Sequence, residues 1–285
     1  MNLSELSADF ARRYAAHRLR PTTARGYETN MRRHVLPTLG GVQVGELTAE
    51  HLDELAERLT ARGLATRSVV YALATLRKVL NYAIKRGYIS ANPFARFDMP
   101  RVEEYRYITL TEAQMRAVFE ATAGGDPLGL AVRLALRYGM RRGEVLGVIP
   151  EIDLDEGRNT LHIQRTRTIE QGKTTVTPCK TKKSNRFLLL SADDVATLSH
   201  VRHGYAVPLT PTQVDKRFKA FLAAHDLPDI RFHDLRHSYA TLMLAKGVNP
   251  KIVSTVLGHS GVDITLDIYS HPNVEMQKAC LAAIL

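Results

Sequence analysis

Through most of the first hundred residues apolar positions recur every three or four residues, the period of helices that bury one face. Thr48-Ala49-Glu50 opens a stretch that aligns Leu52, Leu55, Ala56 and Leu59, and Gly63 stops it. A longer pattern from Thr66 to Arg86 aligns Val69, Val70, Leu73, Leu76, Val79, Leu80, Ala83 and Ile84; it ends at Gly87, before Asn92-Pro93 breaks the chain. Periodicity then lapses from Asp98 to Arg106, a charged stretch containing Pro100, which places an interdomain linker at 98–106 between domains at 1–97 and 107–285. In the second domain Thr109-Leu110-Thr111-Glu112 has capping-box spacing ahead of Met115, Val118 and Phe119, and another helix is predicted over Leu128 to Tyr138. Between Thr160 and Leu190 the pattern becomes that of strands. Thr160–Ile163 and Thr174–Thr177 flank Gln171-Gly172-Lys173, and Arg186–Leu190 follows Lys182–Asn185, so three short antiparallel strands are predicted. Helical spacing returns afterwards, with Asn249-Pro250 as cap and first position and Gly258 as a stop. The fold class is mainly α with a small antiparallel β-sheet in the second of two domains.

Composition narrows the classes of function. The 285 residues are 45% hydrophobic and 24% charged, which suits folded globular domains rather than a disordered chain. Lys and Arg number 39 against 29 Asp and Glu, and the excess is shared: residues 1–106 carry net +6 and residues 107–285 net +4. Both halves suit a polyanionic partner. The polar face of the 66–86 helix, with Arg67, Arg77, Lys78, Lys85 and Arg86, is either an ordinary solvated surface or one that tracks a phosphate backbone. Cys179 and Cys280 are the only cysteines and have no metal-cluster spacing, which fits a reducing cytosol. Neither a signal peptide nor a run of about 18 apolar residues is present, so a cytoplasmic protein without a membrane partner is expected.

Four local patterns carry possible chemistry. Arg141 and Glu144 lie three apart and share a helix face; alone, they are an ordinary ion pair. Lys180-Thr181-Lys182-Lys183-Ser184 falls where a hairpin turn is expected, and a Lys-rich turn usually protects a sheet edge. His233-Asp234-Leu235-Arg236-His237 supports two readings. His233 and His237, four apart, could share a zinc ion, but Asp234 is shorter than the Glu a zinc hydrolase uses and Arg236 sets a cation beside the metal. Alternatively His233 and Arg236 face one anion, and guanidinium forks from Arg141 and Arg236 would hold a phosphate bidentately. Leu257-Gly258-His259 and, ten positions on, Tyr269-Ser270-His271 add an imidazole and a phenol.

In their order along the chain, Gly139-Met140-Arg141-Arg142-Gly143-Glu144, Lys180-Thr181-Lys182-Lys183, His233-Asp234-Leu235-Arg236-His237, Leu257-Gly258-His259 and Thr265-Leu266-Asp267-Ile268-Tyr269-Ser270-His271 resemble the tyrosine recombinases, the phage integrase family. The likeness covers residues 107 to 275 by motif, and the first domain resembles the family's helical core-binding domain by pattern and position. It implies a C-shaped clamp on double-stranded DNA and a site-specific recombinase that integrates or excises a phage or other mobile element in a prokaryotic cell. Tyr269 then matches the nucleophile that forms a 3′-phosphotyrosine, His233 the general base, Lys180 the general acid, Arg141 and Arg236 the phosphate ligands, and His259 a further hydrogen-bond donor, with Glu144 supporting Arg141. No metal or other cofactor is implied. A homotetramer on two duplexes is, with Val274, Met276, Cys280, Leu281, Ile284 and Leu285 as an apolar anchor that docks in trans or packs within its own chain; an accessory directionality factor would also fit. Tyr138, Pro150 and Cys179 stand where the family often has Thr, Trp and Pro. Many integrases of this style carry an additional N-terminal arm-binding domain, whereas this sequence starts at the core-binding module, which fits either a short recombinase working on simple sites or a truncated form. Type IB topoisomerase-like relaxation and a catalytically silent DNA-binding protein remain as alternatives.

Overall fold

The computed structural model describes residues 1–103, 107–170, 172–179, 181–259, 261–262 and 266, with the backbone alone for residues 170 and 182. Two compact units divide the chain, Met1–Tyr105 and Arg106–Leu285.

Unit 1 is helical among its described residues. α1 (Leu3–Phe10) continues through a π-helical turn into α2 (Ala16–Arg18), and α3 (Pro21–Asn30) does the same into α4 (Leu36–Leu39). α5 (Ala49–Ala61) and α6 (Thr66–Lys85) follow, within a residue or two of the stretches that the apolar spacing marks. Thr48 caps α5, and Gly63 and Gly87 take the left-handed backbone that ends each helix. The buried stripe of α6 contains Val69, Leu73, Leu76, Val79, Leu80 and Ala83 as expected, together with Ala72, Thr75 and Tyr82. Val70 is only half-buried and Ile84 is exposed, because the stripe turns toward Tyr82 at the end of the helix. Tyr82 donates to the buried Asp9 at 2.8 Å, tying α6 to α1. Of the basic side chains on α6, Arg67, Arg77 and Lys85 are exposed, whereas Lys78 lies 5.5 Å from the centre of the Tyr14 ring.

Unit 2 is built around α8 (Pro127–Tyr138), which follows α7 (Glu112–Ala121). Leu130, Ala131, Val132, Leu134, Ala135 and Leu136 are all buried, so α8 is covered on every side and is the core helix of the unit. α9 (Arg142–Gly147) and α10 (Pro150–Asp153) lead to the strands, and α11 (Ala192–Ser199), α12 (Pro211–Ala224), α13 (Asp234–Ala245) and α14 (Pro250–Leu257) complete the described helices. Thr111 caps α7 with Gln114 as its reciprocal partner.

The strands differ from expectation. Among the described residues five are present, not three, and they form two sheets: β1 (Leu154–Asp155), β2 (Thr160–Ile163) and β5 (Arg186–Leu189) in the order β1-β2-β5, and β3 (Arg165–Glu170) paired with β4 (Lys173–Pro178). All pairings are antiparallel. Residue 172 therefore lies in the β3–β4 turn and Lys173 opens β4 opposite Glu170, while β2 pairs with β5, setting His162 opposite Phe187. Because β4 and β5 belong to different sheets, the Lys-rich stretch between them is a crossing connection and not a hairpin turn; Lys182–Ser184 forms a single 3₁₀ turn within it. The expected C-terminal anchor, Val274 to Leu285, lies outside the described residues.

Candidate active site

Three chain segments converge in unit 2: the α8–α9 junction, the first turn of α13 and the end of α14. Each ends or begins a helix, and each brings backbone groups that a helix leaves unpaired. Gly139 ends α8 in the left-handed region (φ 62°), and a Cβ there would lie 2.3 Å from Leu257 Cδ2, so only glycine fits against α14. Gly258 ends α14 the same way (φ 66°), and a Cβ would meet the Lys183 carbonyl at 2.8 Å.

Three successive carbonyls at the end of α14 each accept from a different arginine. Arg186 Nε donates to Val256, Arg236 Nη2 to Leu257 at 2.8 Å, and Arg141 Nη2 to Gly258 at 3.2 Å. Arg236 Nη1 also donates to the Gly139 carbonyl at 2.7 Å, so one guanidinium closes the ends of α8 and α14 together. The negative ends of two helix dipoles thus gather cations that would otherwise repel each other. Arg236 and Arg186 are buried and Arg141 is half-buried.

Among the described residues, one carboxylate faces these three cations. Glu144, 2% exposed, accepts from Arg186 Nη1 at 3.2 Å and Nη2 at 3.0 Å, from Arg141 Nη1 at 2.6 Å and from the Arg141 backbone N–H at 3.0 Å. Burial alone would raise its pKa, but Arg186 and then Arg141 outweigh burial and hold the carboxyl below its ordinary range. Arg236 is pressed down to about 9 by burial and by Arg141, and remains a cation at neutral pH. Three guanidinium groups against one carboxylate leave the cluster with excess positive charge.

Two imidazoles border the cluster. Loss of hydration, then His237, Arg236 and Arg141, lowers His233 to about 4. Its ring keeps an open side to solvent, which softens the desolvation, and any value below the ordinary one leaves it mainly neutral at pH 7. His259, half-buried just past Gly258, is likewise lowered to about 4 by desolvation and then by Arg236 and Arg141. Beside His233 a groove of about 520 Å³ is lined by Arg141, Arg142, Lys219, Arg231 and His233, with Asp215 paired to Arg142.

The structure thus brings together Arg141, Glu144, His233, Arg236 and His259. Lys180 and Tyr269 lie outside the described residues. Asp234 is buried and bound by Arg231 through Nε at 3.0 Å, Nη2 at 2.7 Å and the backbone N–H at 2.8 Å, so its carboxylate fixes the start of α13 and is not placed to serve a zinc-bound water. His237 stacks on Tyr107 with ring centres 4.0 Å apart. Among the described residues no three His, Cys, Asp or Glu side chains gather to hold a metal ion. Tyr138, the departure beside Gly139, donates to the fully buried Asp194 at 2.6 Å and accepts from the Ser191 N–H at 2.9 Å, anchoring the end of α8 to α11. Arg186 escaped the motif reading: its partner Glu144 is 42 positions away, and in sequence it looks like the polar flank of a strand.

Comparison with known proteins identifies the family. The model of the Phage integrase family matches residues 109–276, and that of the Phage integrase central domain matches residues 5–99. The "Tyrosine recombinase XerC-like" protein of Caldanaerobacter subterraneus subsp. tengcongensis is 26% identical, over 88% of this chain and 74% of its own. Among solved structures, the Tn1549 transposon integrase in complex with a circular intermediate DNA superposes with a TM-score of 0.84 at 20% identity, covering 100% of both chains. A lambda integrase tetramer bound to a Holliday junction gives 0.69 at 20% identity, over 92% of this chain and 78% of that one. The chain belongs to the phage integrase family, the tyrosine recombinases, whose work is site-specific DNA recombination by strand cleavage and transfer.

Proposed function

We propose that the protein cuts and rejoins double-stranded DNA at a specific site through a 3′-phosphotyrosine on Tyr269, integrating or excising a mobile element. The observation that carries this reading is the excess of guanidinium over carboxylate where two helix ends meet, a place suited to a phosphodiester. Arg141 and Arg236 hold the non-bridging oxygens and bind more strongly as charge builds in the phosphorane. Tyr269 attacks phosphorus while neutral His233 accepts the phenolic proton; the bond to the 5′-oxygen breaks, and Lys180 protonates that oxygen. His259 donates a further hydrogen bond to the phosphorane, and Glu144 orients Arg141. The phosphotyrosine retains the energy of the broken ester, so a 5′-hydroxyl from another strand reverses the steps with His233 acting as acid. Paired exchanges need four active sites, hence a homotetramer on two duplexes. Both units are basic, and we read each as contacting the duplex.

A covalent-trapping assay tests this. The protein is incubated with nicked duplexes of randomised or element-derived sequence in EDTA, denatured, and scored for protein-linked strands, with Tyr269→Phe alongside. Linked strands with the wild type and none with Tyr269→Phe, at equal duplex affinity, are expected. A linked product surviving in Tyr269→Phe overturns the assignment, and linkage without recombinant products from two sites favours topoisomerase-like relaxation.

A further inference from the structure

The guanidinium of Arg186 is held by protein groups at the heart of the cluster. Four of its five N–H groups donate to both oxygens of Glu144, to the Ser184 carbonyl at 3.2 Å and to the Val256 carbonyl, and the side chain is buried, so its partners are protein groups rather than a phosphate. We propose that Arg186 is a positioning residue for strand cleavage, acting through Glu144 on Arg141; this rests on the reading of Arg141 as a phosphate ligand.

Two features carry the inference. The first is geometric. Arg141 is half-exposed on a long side chain, and its fork is fixed at two points, Glu144 Oε1 and the Gly258 carbonyl. Arg186 secures both anchors, holding the Glu144 carboxylate from the far side and the last turn of α14 through Val256, two residues before Gly258. The second is electrostatic. A lone Arg141–Glu144 pair would be neutral and a poor anion ligand. Sharing the carboxylate between two guanidinium groups leaves positive charge at Arg141, on the exposed side where a phosphate can reach it. Arg186 lies at the start of β5, so the sheet fixes its backbone.

The test is a double-variant cycle in single-turnover covalent linkage. Arg186→Lys keeps a cation but loses the planar fork that spans both Glu144 oxygens. It is expected to link strands about 10- to 100-fold more slowly than wild type, with duplex affinity unchanged, the range found when a supporting group is lost from a preorganised site. Introduced on top of Arg141→Lys, which keeps a cation at that position, the same change is expected to cost less than about 3-fold, because residues acting through one another are not additive. Full multiplication of the two losses, as general structural damage would give, overturns the proposal, and so does a single Arg186→Lys variant that keeps pace with wild type. Arg186→Gln, which also removes the charge, is run with a thermal melt so that unfolding is told apart from misplacement. A wild type that yields no Tyr269-linked strand overturns the parent reading, and this proposal with it.

Discussion

Replacing Glu144 by Gln keeps the shape of the side chain and removes its charge, which strands Arg186, Arg141 and Arg236 beside one another with no counter-ion among the described residues. Breaking a buried pair by neutralising one partner costs about 3–5 kcal/mol, since the remaining charge stays buried. That range suits Arg186 and Glu144, whose side chains are 7% and 1% exposed; Arg141, at 32%, adds little because solvent screens it. A domain is stable by only about 5–15 kcal/mol. At about 2–4 °C per kcal/mol for a unit of this size, the Tm of unit 2 is expected to fall by about 6–20 °C. The chain has no Trp, so far-ultraviolet circular dichroism is the suitable probe, and the transition of unit 1 should not move. The sign of the pH dependence follows from the depressed carboxyl. Its folded pKa lies below the ordinary value of 4.5, so the pair stabilises above that value and its contribution fades as pH falls through the folded pKa. Wild type and Glu144→Gln should therefore converge in acid. A drop smaller than about 3 °C at pH 7, or a gap that persists undiminished at low pH, would refute the reasoning.

Two further outcomes are expected. Gly139→Ala combines about 1–2 kcal/mol of left-handed backbone strain with about 1–3 kcal/mol of overpacking against Leu257, whereas Gly63→Ala, at φ 79° with open space around it, carries only the strain; equal losses in urea titrations of the two variants would contradict this. His259, lowered to about 4, gives the unfolded chain the first claim on a proton, so stability falls as pH drops from about 6.5 toward 4. His259→Asn should lose less stability than wild type between pH 7.5 and pH 5, by about 1 kcal/mol after discounting for solvent screening of a half-buried ring, and identical acid sensitivity would count against the assignment.

Where sequence and structure agree, the information is local. Thr48, Gly63 and Gly87 bound α5 and α6 because caps and left-handed stops act within one turn. The Gly-Met-Arg and Leu-Gly-His motifs were legible because a glycine beside a functional residue is needed both to end a helix and to let the helices approach. β3 was missed because Arg167, on its buried face, hides the expected alternation: its guanidinium donates to the Val207 and Leu209 carbonyls and stacks on Tyr205 at 4.0 Å, so a cation occupies a core position. The exchange of strand partners around residues 179–185 was illegible for a related reason. Neighbouring strands in sequence suggest a hairpin, and only the edge that β2 offers to β5 decides otherwise. Arg186 depends wholly on contacts distant in sequence, and nothing in its neighbourhood announces them.

The arginines proposed to hold the phosphate also finish the helices. Arg236 closes α8 and α14 with two hydrogen bonds, and three arginines between them occupy the last carbonyls of α14. An evolving copy of this chain that lost its nucleophile would still need those arginines in order to fold. Within a lineage, the guanidinium positions would then persist through inactivation as structural inheritance, while position 269, the proposed nucleophile, would be free to drift. Decayed relatives would be told from active ones by the tyrosine, and the arginines would attest only to ancestry.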